Sequence, residues 1–263
     1  MSDIEKKVFQ LERKRIEKDR LKRILDEDLF EVVEEVFDLP TLFAIYELAN
    51  EGIIGVMHGV VSTGKEARIY WAESPKGEDL AVKIFLIATA EFRRGRMKYI
   101  EGDPRFKRIR RDPRHLIYTW CSKEYRNLKL AYEVGVPVPR PIRAYRNVLV
   151  MEFINSPDER GKPAPLIKDL PPEEPESALN EILNYIYKLY NDAELVHADL
   201  SEYNIMNQGG KLVIIDWGSA VKTSHPMADE FLLRDIENII RFFRKLDVDT
   251  PNPKEIYCWI KGL

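Results

Sequence analysis

Two aspartates and an asparagine in the second half of the sequence have the types and spacing that metal-assisted chemistry requires. Asp199 and Asn204 lie five residues apart in the polar segment HADLSEYN, which follows an apolar stretch. Asp216 ends the apolar run LVIID, 17 residues after Asp199. Mg²⁺ prefers oxygen ligands and usually needs only one or two protein carboxylates, because substrate phosphates and water complete its octahedron. One aspartate can therefore hold a metal while the other orients or deprotonates a nucleophile.

Two charged residues upstream lie where apolar residues are expected. Lys83 shares a strand face with apolar residues in the alternating segment LAVKIF, and Glu124 interrupts the apolar stripe of the helix that follows. A lone buried charge is unfavourable unless it is paired, so the simplest arrangement is an ion pair between Lys83 and Glu124. The alternative is that Lys83 extends its ammonium group to solvent and Glu124 lies at the edge of the stripe.

The segment GVVSTGKEA resembles a nucleotide-binding P-loop but departs from it in two ways. Gly59, Gly64 and Lys65 match the Walker A pattern, but Glu66 stands where that pattern needs Ser or Thr. A Walker A loop also opens a helix, whereas the next segment, ARIYWAE, alternates like a strand. We therefore reject a P-loop NTPase and predict a strand–turn–strand phosphate lid. The residues assigned to this part of the nucleotide site are Ser62, Thr63, Gly64, Lys65 and Glu66.

A β-rich half followed by an α-rich half must position these residues. Three short β-rich segments occupy residues 53–86, and NVLVMEFI at 147–154 is a further strand. Helical spacing of apolar residues predicts helices over about 115–134, about 179–190 and about 232–243. Residues 157–175 contain six prolines and are predicted to be a connecting loop.

Residues 1–50 are predicted to form an α-helical extension docked on the domain. Apolar residues recur at helical spacing over 21–36, and Pro40 ends that helix. Thr41 can cap the next helix, and Gly52 lies just past its end.

Composition excludes several classes of protein. With 44% hydrophobic and 32% charged residues among 263, the chain is not disordered throughout. No stretch approaches the roughly 18 apolar residues of a membrane span, and the charged start MSDIEKKVFQ does not resemble a secretory signal. Cys121 and Cys258 are too few for a disulfide framework or a four-ligand zinc site. We expect a cytoplasmic protein without a membrane partner.

The net charge of −3 conceals a basic block. Residues 93–114 contain ten Lys/Arg and three Asp/Glu, a local charge of +7 that leaves −10 for the rest of the chain. Such a block in an acidic chain indicates an anionic partner. The alternative is a solvated, mobile loop, and the sequence leaves both interpretations open.

The sequence resembles protein kinases, and among them the RIO atypical protein kinases of the first RIO subfamily. The resemblance covers roughly residues 41–250. It is carried by STGKEA at 62–67, AVKI at 81–84, KEYRNL at 123–128, VPVPRP at 136–141, VHADLSEYNI at 196–205, IDWGSAV at 215–221, HPMA at 225–228 and RDIENIIRFF at 234–243.

The resemblance implies a two-lobed α+β protein-kinase-like fold. Its parts would be an N-terminal helical extension at 1–50, a β-rich N-lobe at 51–154 and a reduced α-rich C-lobe at 155–263. The N-lobe would contain a flexible basic loop at 93–114. Only the 45 residues 219–263 follow Gly218, which leaves room for about two helices and for neither an activation segment nor an A-P-E anchor.

The resemblance also implies roles for the polar residues. Lys83 would hold the α- and β-phosphates of ATP, and Glu124 would orient it. Asp199 would be the catalytic base or position the nucleophile, and Asn204 and Asp216 would bind Mg²⁺ or Mn²⁺.

Two further features follow from the resemblance. Met151, Glu152 and Ile154 would form the hinge, whose backbone hydrogen-bonds adenine. Trp217 replaces the phenylalanine of the usual D-F-G motif, so regulation by a flip of that phenylalanine is not expected. His197 is predicted to brace the loop rather than to act as an acid or base.

The leading hypothesis is an ATP-dependent, autophosphorylating serine/threonine-protein kinase. The family is associated with maturation of the small ribosomal subunit, and some members are proposed to be ATPase switches that transiently phosphorylate the metal-binding aspartate, here Asp216. The partners would be the small-subunit precursor, with its rRNA and assembly proteins, and residues 93–114 would suit an RNA surface. We expect a monomer.

Two other functions stay open at this point. A small-molecule phosphotransferase of the aminoglycoside or choline kinase type has the same H-x-D-x-x-x-x-N loop and also lacks an activation segment, although the short C-terminal half leaves little room for a substrate pocket. A ribosome-assembly scaffold that binds ATP with slow turnover is the other alternative.

Overall fold

The computed structural model describes residues 37–86, 95–106 and 112–263. The helix predicted over 21–36 lies outside these ranges. So do six of the ten basic residues in the block at 93–114, namely Arg93, Arg94, Lys107, Arg108, Arg110 and Arg111. Within the described ranges, a β-rich half is followed by an α-rich half, so the predicted α+β class is confirmed.

A five-stranded antiparallel sheet, in the order β1-β2-β3-β5-β4, is the largest sheet of the described residues. Its strands are β1 (Val56–Thr63), β2 (Ala67–Glu73), β3 (Asp79–Phe85), β4 (Pro141–Tyr145) and β5 (Val148–Glu152). On the central strand β3, Leu80, Val82 and Ile84 pack into one core and Phe85 into another. Because side chains alternate along a strand, Lys83 lies on the same face as Phe85.

The edge strand β4 is not predicted by the sequence analysis. The prolines of VPVPRP indicate a chain break, yet a strand begins at Pro141, the last of them. Pro141 is tolerated because β4 lies at the edge of the sheet, where a missing backbone N–H is least harmful.

Helix α1 (Leu39–Asn50) packs against the sheet face that carries Val82. Asp38, not Thr41, is its N-cap, so the predicted cap is wrong: Asp38 accepts hydrogen bonds from the backbone N–H and the hydroxyl of Thr41, at 3.2 and 2.7 Å. Pro40 lies in the first turn, where proline has no intrahelical bond to break. Gly52, with φ of +72°, follows the end of the helix as predicted.

Helix α2 (Pro113–Glu133) covers the other face of the sheet. Asp112 caps it by accepting a hydrogen bond of 2.9 Å from the backbone N–H of His115, so the helix begins slightly before the predicted start. Its predicted apolar stripe is confirmed as buried, and the stripe consists of Ile117, Cys121, Glu124, Leu128 and Ala131. Lys123 and Asn127 are also fully buried, which the stripe does not predict.

The second half is built from three helices and two short antiparallel ladders within the described residues. The helices are α3 (Pro175–Asn191), α4 (Ala228–Arg244) and α5 (Pro253–Lys261). The ladders pair β6 (Leu195–Val196) with β9 (Val221–Lys222), and β7 (Ile205–Gln208) with β8 (Lys211–Ile214).

These ladders place two polar segments side by side. The loop at 197–204 lies between β6 and β7, and Asp216 follows β8. Ile215 donates a backbone hydrogen bond of 2.9 Å to the Asn204 carbonyl, which joins the two segments directly. After Gly218 the fully described range 219–263 contains α4 and α5, as the length of the segment predicts.

In the part of the chain that the structure describes, no helix is both long enough and apolar enough to cross a membrane.

Candidate active site

The predicted ion pair between Lys83 and Glu124 is confirmed. The Lys83 ammonium donates to both Glu124 carboxylate oxygens, at 2.7 and 3.0 Å, and it also donates to Asp216 Oδ1 at 3.0 Å. Lys83 and Glu124 are buried, whereas the Asp216 side chain is 46% exposed. Strand β3, helix α2 and the segment after β8 therefore meet at a single ammonium group.

The charges of these three groups depend on one another. Burial by itself lowers the pKa of Lys83, but the carboxylates of Asp216 and Glu124 outweigh it and raise the pKa above its ordinary value. Lys83 in turn lowers the pKa of Asp216, whereas burial raises the pKa of Glu124. Asp216 is therefore an ionised carboxylate that is partly open to solvent, as a metal ligand must be.

The loop at 197–204 provides the second carboxylate and the amide. Burial raises the pKa of Asp199, and the charge of Asp216 raises it further. A raised pKa suits a carboxylate that accepts a proton from a hydroxyl. The Asn204 amide donates to the Asp199 backbone carbonyl at 2.7 Å, which turns the Asn204 Oδ1 atom away from that contact and leaves it available as a ligand.

The donor set is chemically suited to Mg²⁺. No cluster of three or more His, Cys, Asp or Glu side chains that could hold a metal occurs among the described residues. Mg²⁺ does not require such a cluster, because one carboxylate with an amide oxygen, water and substrate phosphates suffices. Asp216 and Asn204 offer that combination.

Helix α4 braces the loop through residues whose roles the sequence analysis does not identify. Asp235 accepts hydrogen bonds from the backbone N–H groups of Ala198 and Leu200, at 2.7 and 2.9 Å. Asn238 donates to the Leu200 carbonyl at 3.1 Å, and Arg234 donates to the Ala198 carbonyl. Burial raises the pKa of Asp235, although the hydrogen bonds from the two backbone N–H groups lower it in part. In the sequence, the available signal is an aspartate that lies among the apolar residues of α4.

His197 has the bracing role that the sequence analysis predicts. It is buried, its Nε2 lies 3.1 Å from the Ile215 carbonyl, and its ring meets Trp217 edge-on at 4.8 Å. Burial lowers the pKa of His197 to about 4. The ring is therefore neutral near pH 7 and holds the strand end before Asp216.

The strand–turn–strand structure predicted for the lid segment GVVSTGKEA is confirmed. Strands β1 and β2 are joined by a tight turn in which Gly64 donates a backbone hydrogen bond of 2.9 Å to the Ala67 carbonyl. Ser62, Thr63, Gly64 and Lys65 are exposed on this turn.

Glu66, which the sequence analysis assigns to the nucleotide site, has a protein partner in the structure. Arg96 Nε donates to Glu66 Oε2 at 3.0 Å, and Arg96 Nη1 donates to the Ser219 hydroxyl at 2.9 Å. The Arg96 guanidinium also lies over the Trp120 ring at 5.2 Å. Arg96 therefore connects the lid to the segment that follows Asp216.

The described members of the basic block have partners within the chain. Besides Arg96, Arg105 pairs with Asp103 at 2.7 Å and Arg114 pairs with Asp38 at 2.7 Å. Lys98 lies over the Tyr99 ring at 4.9 Å. The local charge of +7 overstates the charge available to a partner, because Arg96 and Arg114 pair with Glu66 and Asp38 outside the block, whereas Arg105 and Asp103 already cancel within that sum.

The predicted hinge residues lie at the end of β5. Met151 and Glu152 belong to that strand, and Ile154 follows it. The Ile154 carbonyl accepts a hydrogen bond of 2.9 Å from the Ala164 N–H. Among the hydrogen bonds of the described residues, none has the Ile154 N–H as its donor.

Comparison with known proteins identifies the arrangement. The RIO domain family matches residues 68–256. The chain is 43% identical over 240 residues to the RIO-type serine/threonine-protein kinase Rio1 of Haloferax volcanii, covering 91% of this chain and 81% of that protein. It is 40% identical over 262 residues to the Rio1 kinase of Methanocaldococcus jannaschii, covering 98% and 87%.

More distant matches agree. The human serine/threonine-protein kinase RIO1 is 37% identical over 242 residues, which cover 90% of this chain but 42% of the human protein. Among solved structures, the Rio2 kinase–ADP/Mg²⁺–phosphoaspartate complex from Chaetomium thermophilum has a TM-score of 0.62 and 23% identity, covering 82% of this chain and 65% of that one. At that identity the structural match shows the fold, and the predicted kinase-like fold is confirmed.

Proposed function

The chain belongs to the RIO domain family, and from this membership we propose that it transfers the γ-phosphoryl group of ATP to a serine or threonine hydroxyl of a protein. It is a phosphotransferase of the serine/threonine-protein kinase class. The observation that carries the proposal is the contact of the Lys83 ammonium with both Glu124 and Asp216. That contact joins the sheet to the segment beside Asp199.

Each residue has a chemical task that its environment supports. Phosphoryl transfer depends mainly on positioning and on neutralising phosphate charge. Lys83 supplies a fixed ammonium for the α- and β-phosphates, and Asn204 and Asp216 would hold Mg²⁺, which offsets phosphate charge when bound. Asp199 orients the acceptor hydroxyl and accepts its proton, as its raised pKa favours.

The segment after Gly218 supports an unusual mode of substrate binding. In the described range 219–263, β9 leads to helices α4 and α5 without the long activation segment that ordinary protein kinases place there. We propose that the acceptor is the chain itself or a protein presented by a larger assembly. The autophosphorylating activity and a role in maturation of the small ribosomal subunit are parts of this proposal.

ATP hydrolysis that acts as a switch is an alternative reaction for the same site. The solved Rio2 complex contains ADP, Mg²⁺ and a phosphoaspartate, and Asp216 is the partly exposed carboxylate of this chain beside the Lys83 ammonium. We propose that Asp216 can accept the phosphoryl group and release it to water.

The fate of γ-labelled ATP tests these proposals. The wild type and Asp199→Asn would be incubated with Mg²⁺, and acid-stable label on protein would be separated from released phosphate. Acid-stable label that depends on Asp199 is the result expected of a hydroxyl kinase, whereas an acid-labile acyl phosphate with free phosphate indicates the switch. Absence of turnover in the wild type would contradict both and favour an ATP-binding scaffold, and turnover that is unchanged in Asp199→Asn would contradict the hydroxyl kinase. Stimulation by small hydroxyl compounds would favour a small-molecule phosphotransferase.

A contact with rRNA through residues 93–114 is a separate part of the proposal. It is supported by the excess of Lys and Arg in that segment, reduced by the internal pairs of Arg96, Arg105 and Arg114. Binding to RNA should weaken steeply with salt if phosphates are contacted. Neutralising Arg110 and Arg111 should flatten that dependence, and an unchanged slope would exclude the segment.

A further inference from the structure

Two buried side chains of α2 donate hydrogen bonds to the backbone carbonyls that follow Asp216. Lys123 donates to the Gly218 carbonyl at 2.9 Å and also to the Ala220 carbonyl. One turn later, Asn127 donates to the Trp217 carbonyl at 3.0 Å and to the Ala220 carbonyl at 2.8 Å. Both side chains have no solvent exposure. Three of the four carbonyls from Trp217 to Ala220 are thereby bound by two side chains of one helix.

Burying Lys123 and Asn127 is unfavourable in free energy. Among the described residues, Lys123 forms no ion pair within 4 Å. Its ammonium binds carbonyls and lies 5.2 Å from the centre of the Trp120 ring, and the Asp103 and Glu124 carboxylates act on it from a greater distance. Burial lowers the pKa of Lys123 to about 7. Asn127 leaves its own Oδ1 buried without a partner. Apolar side chains of similar size would avoid both penalties but would leave the Trp217, Gly218 and Ala220 carbonyls without these donors, so the role of the two residues is to bind this backbone.

The helix and the segment are in direct contact at Gly218. A Cβ atom at this position would lie 2.9 Å from Trp120 Nε1 and 3.1 Å from Glu124 Oε2. The absence of a side chain lets the Gly218 backbone approach α2 closely enough for Lys123 to reach it. The contact also adjoins Glu124, the carboxylate that holds Lys83.

The segment holds Asp216 in an unfavourable backbone conformation. Asp216 has a φ of +64°, in the left-handed region that residues with a side chain seldom adopt. Such conformations persist where surrounding contacts determine them, and they occur often at functional sites. The hydrogen bonds from α2 begin at the next residue, Trp217. Because these hydrogen bonds fix the neighbouring backbone, they restrict the position of the Asp216 carboxylate beside Lys83.

We propose that Lys123 and Asn127 are positioning residues that clamp the 217–220 backbone and thereby hold Asp216 in its metal-binding orientation. This inference rests on the proposed phosphotransferase function. Helix α2 then controls two groups of the site, because Glu124 orients the Lys83 side chain while the clamp orients Asp216. In a chain that has no activation segment after Gly218, the clamp provides a fixed support for the metal ligand.

The test compares Lys123→Met and Asn127→Leu with wild type, and uses Lys129→Met as the matched control. Lys129 lies on the same helix, but its side chain is 56% exposed. ADP binding would be measured by calorimetry with and without Mg²⁺, alongside thermal unfolding and ATP turnover. Loss of groups that orient a metal ligand typically weakens metal binding about 10- to 100-fold.

We expect the two clamp variants to remain folded but with a somewhat lower unfolding temperature, because each substitution removes a donor from buried carbonyls of the 217–220 segment. Their Mg²⁺-dependent gain in ADP affinity should fall about 10- to 100-fold, and Mg²⁺-independent ADP binding should stay unchanged. The Mg²⁺ concentration for half-maximal turnover should rise in parallel. Lys129→Met should match wild type in every measurement.

Folded clamp variants with the same Mg²⁺ dependence as wild type would overturn the inference. Variants that lose folding together with binding would assign the residues to stability and overturn the positioning role. Failure of the proposed function has a different signature: wild type would bind ADP with Mg²⁺ but transfer no phosphate. The Mg²⁺-dependent binding of the variants would still decide on the clamp.

Discussion

At the scale of single residues, the site is organised by one ammonium group shared between two carboxylates. The Lys83 ammonium forms ion pairs with Glu124 of helix α2 and with Asp216 of the segment after β8. The buried Glu124 depends on that ammonium, whereas Asp216 has access to water. Each charge is therefore supported by its neighbours, and removing one member affects the others.

Replacing Lys83 distinguishes its contribution to stability from its contribution to phosphoryl transfer. Lys83→Met leaves Glu124 buried without its partner, so the free energy of unfolding should fall by about 3–5 kcal/mol. The double variant Lys83→Met/Glu124→Leu removes the unpaired charge and should recover much of that loss, while both variants lose phosphoryl transfer. Urea unfolding and ATP turnover measure the two effects. A single variant as stable as wild type would contradict the buried pair.

His197 should make stability depend on pH. Its pKa is about 4 in the folded chain and about 6.5 when unfolded. The unfolded state therefore binds the extra proton first as pH falls, and stability supplied by the neutral ring is lost between about pH 6.5 and pH 4. The loss can reach about 3 kcal/mol.

His197→Gln removes this titration while keeping an amide donor for the Ile215 carbonyl. The free energy of unfolding, measured in urea from pH 4 to 7, should depend less on pH than in wild type. His115→Gln, at an exposed position, is the matched control and should retain the wild-type dependence. Equal pH dependence in the His197 variant and wild type would be inconsistent with a neutral buried ring.

At the scale of elements, two helices hold the two polar segments of the site. Helix α4 binds the loop before Asn204 through Asp235 and Asn238. Helix α2 binds the segment after Asp216 through Lys123 and Asn127. Short ladders such as β7–β8 bring these segments together, but the helices fix their backbones by side-chain hydrogen bonds.

The tight contact between α2 and the 217–220 segment predicts a severe effect at one glycine. In Gly218→Ala the added methyl group would lie 2.9 Å from Trp120 Nε1, a distance that real Cβ atoms avoid, and 3.1 Å from Glu124 Oε2, so these side chains or the helix must shift. We expect a loss of about 1–3 kcal/mol of stability, as for other overpacked cores, with impaired turnover because Glu124 moves from Lys83.

Gly59→Ala is the control for this change, because a Cβ there meets nothing within 4 Å. Chemical denaturation should show little difference between Gly59→Ala and wild type. If Gly218→Ala were equally stable and active, the close approach of α2 to the segment would have no energetic consequence, contrary to the geometry.

At the scale of the whole molecule, Arg96 connects the two halves across the site. It binds Glu66 beside the β1–β2 turn and Ser219 after Asp216. The β1–β2 turn and the segment after Asp216 are thus connected by one side chain from a segment that is remote from both in sequence. The charges of Asp216 and Asp199 also act on Arg96 and help to raise its pKa, which burial by itself would lower.

A double-mutant cycle measures this connection. Arg96→Met and Glu66→Gln should each weaken ADP binding, and their effects should not add, because each removes the same ion pair. A coupling of about 0.5–1 kcal/mol is expected for a partly exposed pair. Calorimetric affinities for wild type, both single variants and the double variant supply the cycle. Fully additive effects would show that the lid and Arg96 act independently.

The sequence by itself indicated the candidate site residues and the order of elements. Asp199, Asn204 and Asp216 are recognisable because polar groups follow apolar runs at characteristic spacing. Glu124 is recognisable because it interrupts an apolar stripe. The β-to-α order follows from hydrophobic periodicity. These features are local, so they can be found without knowing how distant segments meet.

Only the tertiary structure decided which side chains support the reacting ones. Lys123 and Asn127 bind carbonyls some 90 residues away, and Arg96 binds Ser219 across 123 residues. A lysine that binds buried carbonyls looks in sequence like any surface lysine, and an arginine in a basic block looks like a free charge. Their roles depend on which backbone groups the fold leaves unsatisfied beside them, and that is determined by long-range packing rather than by local pattern.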